Sequence, residues 1–375
     1  MSDEQNVVDG RRNGVGWKSR QQVESAAWSL PVGHSDAGVS VTVSPGVVRL
    51  KGATRPVPKN RGKQSITEWS RQSRANMVRV VASLDMTVLD SLPGFPAMVT
   101  LTLPGSWEVV APDASTFKGY FEEWRRRYRH TYGTPFRGLW KLEFQRRGAP
   151  HLHLYMVVPS GDFRTWCSQT WADIVAHPDP AERAKHSRAG TRVDVMKGAR
   201  ASDPRRLAVY FGKHAAPGGE SNKEYQHKVP ELWVNSGGPG RFWGYIGLEK
   251  VSATVELSTD DFITIKRYMR KAQQASRGVT IPVDKRDTRK PLVDTRTRKI
   301  PYRKQVERMK MSKCGVIEVA PGVYIGTTLR APYLYHRWVT RYRPAAAFRG
   351  RGQGGFLVVN DAPSMVAAMA RGLAQ

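Results

Sequence analysis

The run Gly148-Ala-Pro-His-Leu-His-Leu-Tyr-Met-Val-Val158 constrains the fold of this chain more than any other stretch. Its period of two predicts a strand with His151 and His153 on one face and Leu152 and Leu154 on the other. The leucines can face a core while the two imidazoles converge on one point. Neutral imidazoles side by side make a metal clamp, whereas on an edge strand the same pair would be two surface histidines. The preceding run, Leu139-Trp-Lys-Leu-Glu-Phe-Gln145, also alternates, and the turn Arg147-Gly-Ala-Pro150 joins it to the histidine strand. The two are therefore predicted to pair antiparallel, with Glu143 and Gln145 alongside His151 and His153. Glu143 alone reads as a surface carboxylate paired with Lys141 or Arg146; beside convergent histidines it reads as a third ligand. Two imidazoles, a carboxylate and open positions suit Mg²⁺ or Mn²⁺ bound together with substrate phosphate oxygens.

The 375 residues are enough for a sizeable core and roughly two domains. The net charge of +28, from 60 Lys and Arg against 32 Asp and Glu, points to a polyanion as partner, nucleic acid before a membrane surface. No apolar run approaches the ~20 residues of a spanning helix, and no basic amphipathic helix stands out. The opening Met-Ser-Asp-Glu-Gln-Asn lacks a signal-peptide pattern, and two cysteines, Cys167 and Cys314, are too few for a disulfide framework or a zinc site. A cytoplasmic location without membrane association is the expectation. The charge is uneven: residues 256–375 hold 24 basic and 9 acidic residues, a net of +15.

Three regions are expected. Residues 1–64, without sustained periodicity, read as mostly disordered. Residues 65–255 read as the catalytic or binding domain, and 256–375 as a basic region for DNA binding or oligomerisation. Within the middle region a helix is predicted from Ser65 to about Leu89, with Trp69, Met77, Val80, Leu84 and Val88 on its apolar face. A buried strand follows at 97–103 and a helix at 116–131, where Phe117, Phe121, Trp124 and Tyr128 recur at spacings of four, three and four. Then come the hairpin, a helix at 163–176, a strand at 191–196, and a helix from Asp203-Pro204 to about Lys213. Gly240–Leu248 reads as a last strand. Beyond it a helix at 260–275 leads to a basic linker-like stretch at 284–313, short strands at 316–327, 333–342 and 356–359, and a final helix from about Ala362. There is no internal repeat and no P-loop.

Three elements in order carry a resemblance: the strand ending in Val99-Thr100-Leu101-Thr102, then Glu143 with His151-Leu152-His153, then Tyr210 with Lys213 on a helix. Over residues 65–250 this order resembles the His-hydrophobic-His (HUH) endonucleases, specifically rolling-circle replication initiators of the plasmid and prophage type. The resemblance implies an α+β fold with a central antiparallel sheet flanked by helices, close to the RNA-recognition-motif arrangement, here with a basic C-terminal extension. It implies metal held by His151, His153 and Glu143, nucleophilic attack by Tyr210 to give a 5′-phosphotyrosine, and Lys213 orienting the phosphate. The implied partners are single-stranded origin DNA in a hairpin with its flanking duplex, and a host helicase and polymerase. The chain departs from some such initiators at Arg206, where they carry a glutamate a helical turn before the tyrosine. It also lacks a Tyr-x-x-x-Tyr pair; Tyr225 is the nearest second tyrosine and reads as structural.

Further DNA contacts are expected from Arg241, beside Trp243, and from the basic stretch with Lys285, Arg286, Arg289, Lys290, Arg296, Arg298, Lys299, Arg303 and Lys304. Trp124, Trp140, Trp166 and Trp171 read as core. The alternatives are an HUH-type transposase or relaxase, or a non-catalytic nucleic-acid-binding module on the same kind of sheet. A cupin-type His-x-His enzyme is disfavoured because Val157 and Val158 stand where its acidic ligand would be.

Overall fold

A computed structural model describes residues 16–30, 38–52, 69–196, 201, 204–211, 224–276, 299–311, 315–327, 332–344, 350–353 and 356–374. The chain divides into two compact units, one of residues 1–270 with 350–375, the other of residues 271–349.

In the first unit the chain begins with α1 (Arg20–Trp28), whose Ser19 and Gln22 form a reciprocal capping box. Strands β1 (Ser40–Ser44) and β2 (Val47–Lys51) follow, then α2 (Arg71–Val81) and β3 (Phe95–Thr102). Helix α3 (Ala114–Tyr132) starts where Asp113 accepts from the Thr116 amide and stops at Gly133, whose φ of 70° is left-handed. The hairpin β4 (Gly138–Phe144) and β5 (Pro150–Val158) comes next, followed by α4 (Phe163–Val175), α5 (Pro180–Ala189), β6 (Thr191–Val195) and α6 (Pro204–Phe211). Strands β7 (Trp243–Ile246) and β8 (Ala253–Glu256) lead to α7 (Thr259–Ser276). The second unit holds two antiparallel ribbons: β9 (Lys299–Met311) with β12 (Pro332–Pro344), and β10 (Gly315–Ala320) with β11 (Val323–Thr327). The first unit then resumes with β13 (Gly350–Gln353), β14 (Phe356–Val359) and α8 (Ala362–Leu373).

The main sheet has the order β6-β3-β5-β4-β7 and is antiparallel throughout. The fold is thus α+β with antiparallel sheets flanked by helices, as expected. One face of the sheet carries Val99, Leu101, Leu142, Phe144, Leu152 and Leu154, all buried. The aromatic stripe of α3 covers it: Phe121 lies 6.4 Å from the Trp140 ring, and Phe117 lies 6.3 Å from Trp171 of α4. Each such side chain contributes roughly 1.5–3 kcal/mol by leaving water. That apolar face fixes the strand register, because a slip of one residue would bury the polar set instead.

Several expectations are corrected. Residues 20–28, 40–44 and 47–51, within the stretch expected to be mostly disordered, form a helix and two strands. Val41, Val43, Val47 and Val48 are buried in a second sheet of order β8-β1-β2-β14-β13, so their partners lie some 200 to 300 residues away in sequence. Five-residue strands held by such distant neighbours leave almost no local period to read. The divisions expected at 64/65 and 255/256 do not match this sheet, in which β1 pairs with β8 and β2 with β14. Residues 299–311, read as part of a linker, form β9. The helix expected over 65–89 runs only from Arg71 to Val81; the Ser83 hydroxyl donates to the Arg79 carbonyl, satisfying a last-turn acceptor. Residues 65–68 lie outside the described residues.

Candidate metal centre

The face of the main sheet opposite the aromatic layer is polar at its centre. Register alone places Thr102, His151 and Glu143 in one row across β3, β5 and β4, and Thr100, His153, Lys141 and Trp243 in the next. Side-chain direction then brings three ligand atoms together. The Nε2 atoms of His151 and His153 are 3.0 Å apart. Glu143 Oε2 is 3.1 Å from His153 Nε2 and 3.6 Å from His151 Nε2. Adjacent corners of an octahedron with bonds of about 2.1 Å are about 3.0 Å apart, so these separations fit one small divalent cation. Two imidazole lone pairs facing each other at that distance repel unless a proton or a cation lies between them, and the three side chains form a metal-competent cluster of the described residues.

The protonation states suit that role. Burial pushes the His151 pKa down, against the opposing pull of Glu143, which favours the neutral ligand form. Burial would raise the Glu143 pKa, but hydrogen bonds from His151 and His153 and the charge of Lys141 outweigh it and hold the carboxyl well below its ordinary range. The His153 ring is oriented by Thr100, whose Oγ1 is 3.0 Å from Nδ1. An Nδ1–H donated to that hydroxyl leaves the Nε2 lone pair facing the carboxylate.

Helix α6 lies over this same face. Lys141 Nζ donates to the Phe211 carbonyl at the end of α6, at 2.8 Å, and also contacts Glu143 Oε1. Tyr210 is therefore the neighbour of a residue tied to the cluster's own counter-ion, and its side chain is 41% exposed, available to a substrate. The expected Lys213 lies outside the described residues, as do Lys285, Arg286, Arg289, Lys290, Arg296 and Arg298. Lys299, Arg303 and Lys304 fall on β9 of the second unit. Arg241 is exposed at the start of the β7 edge, lining a cleft of about 670 Å³ with Ser73, Asn76, Trp243 and Tyr245. Gln145, expected on the ligand face, lies beyond the end of β4 and accepts from Arg147 Nε.

Sequence reasoning assigned no role at the site to Lys141, nor to the arginine at 147. Lys141 was legible only as an alternation partner of Glu143, and nothing in the sequence announces that a lysine on a ligand face will be buried. Arg147 clamps the end of β3 by donating to the carbonyls of Leu103, Pro104 and Gly105. Nor was α5 anticipated, although Asp179-Pro180 is a start signal; its buried His186 donates from Nε2 to the Thr102 carbonyl at 2.7 Å, bracing the strand opposite His151.

Residues 96–202 match a family model described as Replication-associated protein ORF2. The chain is 25% identical to a replication-associated protein of Pseudomonas phage Pf3 over 237 residues, covering 59% of this chain and 72% of the phage protein. Two proteins of Xylella fastidiosa, named only provisionally as replication proteins, are also similar. One, from strain 9a5c, is 27% identical over 46% of this chain and 54% of its own length. The other, from strain Temecula1, is 31% identical over 29% of this chain and 36% of its own length. The chain thus spans about half and about a third of those two relatives. No solved structure matches it.

Proposed function

We propose that this protein initiates rolling-circle replication as an HUH-type, metal-dependent, single-strand DNA endonuclease and strand transferase. The observation that carries the reading is the joint placement of the Glu143–His151–His153 cluster and the exposed Tyr210 on one face of the sheet. The similarity to replication-associated proteins supports the same role.

In this reading His151, His153 and Glu143 hold Mg²⁺ or Mn²⁺, which when bound supplies Lewis-acid polarisation of the scissile phosphate. Tyr210 loses its phenolic proton to solvent, and its oxygen attacks phosphorus in line with the 3′ oxygen. A phosphorus–tyrosine bond forms as the bond to the 3′ oxygen breaks, and that oxygen leaves as a hydroxyl after taking up a proton. The 5′-phosphotyrosine keeps the phosphodiester's energy, so a later 3′-hydroxyl can reverse the step and join strands. Lys213 orients the phosphate. The β7 edge, with Arg241, Trp243 and Tyr245, guides the unpaired strand, and the basic second unit grips flanking duplex. The origin hairpin is the substrate, with a host helicase and polymerase acting on the product.

Incubation with Mn²⁺ and a single-stranded origin hairpin should give a covalent protein–DNA adduct that EDTA abolishes and Tyr210→Phe does not form. An adduct that persists in Tyr210→Phe would move the nucleophile elsewhere. Specific hairpin binding with no adduct under any divalent cation would leave a non-catalytic nucleic-acid-binding module.

A further inference from the structure

Lys141 belongs to β4 yet its side chain is only 3% exposed, on the polar face of the sheet. A buried ammonium is costly unless each of its three N–H groups finds an acceptor. Lys141 Nζ has three: Glu143 Oε1, the Phe211 carbonyl at 2.8 Å, and the Trp69 ring, whose centroid is 4.5 Å away. Each does something different. The contact with Oε1 occupies one carboxylate oxygen, so Glu143 presents only Oε2 to the imidazoles. The contact with Phe211 meets a carbonyl in the last turn of α6, where the helix dipole and unpaired acceptors favour a cation. The Trp69 ring closes the third side, at the approach to α2.

We infer that Lys141 is a positioning residue that couples the metal-binding oxygen of Glu143 to the helix carrying Tyr210. This rests on the nicking reading above. One ammonium sets both the direction of a ligand oxygen and the place of the residue next to the tyrosine. Its loss lets the two halves of the site drift apart while leaving all three ligand side chains present. A misplacement of about 1 Å costs on the order of 100-fold in a reaction that depends on in-line approach.

The test compares the full-length protein with Lys141→Met and Lys141→Arg in three measurements: Mn²⁺ affinity by electron paramagnetic resonance, the single-turnover rate of adduct formation at saturating Mn²⁺ and hairpin, and amide hydrogen exchange across residues 204–211. Lys141→Met should bind Mn²⁺ as tightly as the parent, or tighter because a competing cation is gone. Its adduct rate should fall on the order of 100-fold per active molecule, and α6 should exchange faster. Lys141→Arg, which keeps the charge and the donors, should recover part of both the rate and the protection. A merely structural lysine would lower the active fraction and leave the rate constant intact. Parental exchange in α6 of Lys141→Met, or a parental rate constant, overturns the inference. So does a fall in rate that excess Mn²⁺ restores, which would make Lys141 a support of the metal alone. If Lys141→Met does not fold, Lys141→Arg decides, because a relocated guanidinium must still change exchange in α6. Absence of an adduct from the parent protein would instead sink the nicking reading, and the exchange measurement would still judge the anchoring of α6.

Discussion

Glu143 and Lys141 are both almost fully buried, and each is the other's main counter-charge. Removing one partner of such a pair strands the other, typically at a cost of about 3–5 kcal/mol, whereas removing both is far milder. In metal-free protein Glu143→Gln should therefore lower stability by several kcal/mol, and adding Lys141→Met should restore most of it. Denaturant melts of the two single variants and the double variant form the cycle, and additive losses would show that the pair is not coupled. His186 allows a different check. Burial, opposed by its hydrogen bond to Thr102, depresses its pKa below the ordinary 6.5. The unfolded chain then takes up a proton at higher pH than the folded one, so the stability associated with the neutral ring is present above about pH 6.5 and is lost as pH falls through the folded pKa. Chelated protein should melt more easily at pH 5.5 than at 7.5, and His186→Gln should flatten that dependence. An unaltered slope would assign the effect to other groups.

At the scale of elements, the site depends on the β4–β5 hairpin more than on any helix. Glu143 stands opposite His151 only because Gly138 pairs with Met156 at the far end of the same ladder. A Cβ at Gly138 would run into the Tyr155 carbonyl, which is backbone and cannot swing aside. Gly138→Ala should lower stability by about 1–3 kcal/mol and weaken Mn²⁺ binding by opening the ladder. Full metal affinity in that variant would show that the register tolerates the strain. These elements were also the most legible in the sequence. The strict alternation through His151 and His153, and the four-three-four spacing of Phe117, Phe121, Trp124 and Tyr128, are local signals that local structure obeys. Thr100 and Glu143 were readable for the same reason, since period two places them on the histidine face. Lys141 was not, because its burial is decided by α6 and Trp69, which arrive from distant parts of the chain. The second sheet escaped in the same way: β1 and β14 are four or five residues long and acquire meaning only once paired.

At the scale of the whole molecule, charge and fold are divided unequally. Residues 271–349, the second unit, carry 19 basic and 5 acidic residues, a net of +14 and thus half of the chain's +28. The candidate metal centre lies wholly in the first unit, which both termini help to build through β1, β2 and β14. Deleting everything beyond residue 255 would therefore tear strands from a sheet and say little about DNA. Replacing only residues 277–349 with a flexible Gly/Ser segment keeps α7, β13, β14 and α8. If the second unit grips duplex through phosphates, that replacement should weaken binding to flanking duplex and make the dependence of log K on log salt shallower by about 0.9 for each phosphate no longer neutralised. The rate of adduct formation on a preformed single-stranded hairpin should be unchanged, because no ligand, nucleophile or positioning residue has been touched. Duplex affinity measured by fluorescence anisotropy over a salt series, beside the single-turnover rate on the hairpin, separates the two outcomes. A parental salt slope would place duplex recognition on the first unit, and a lost hairpin reaction would show that the second unit contributes to the chemistry itself.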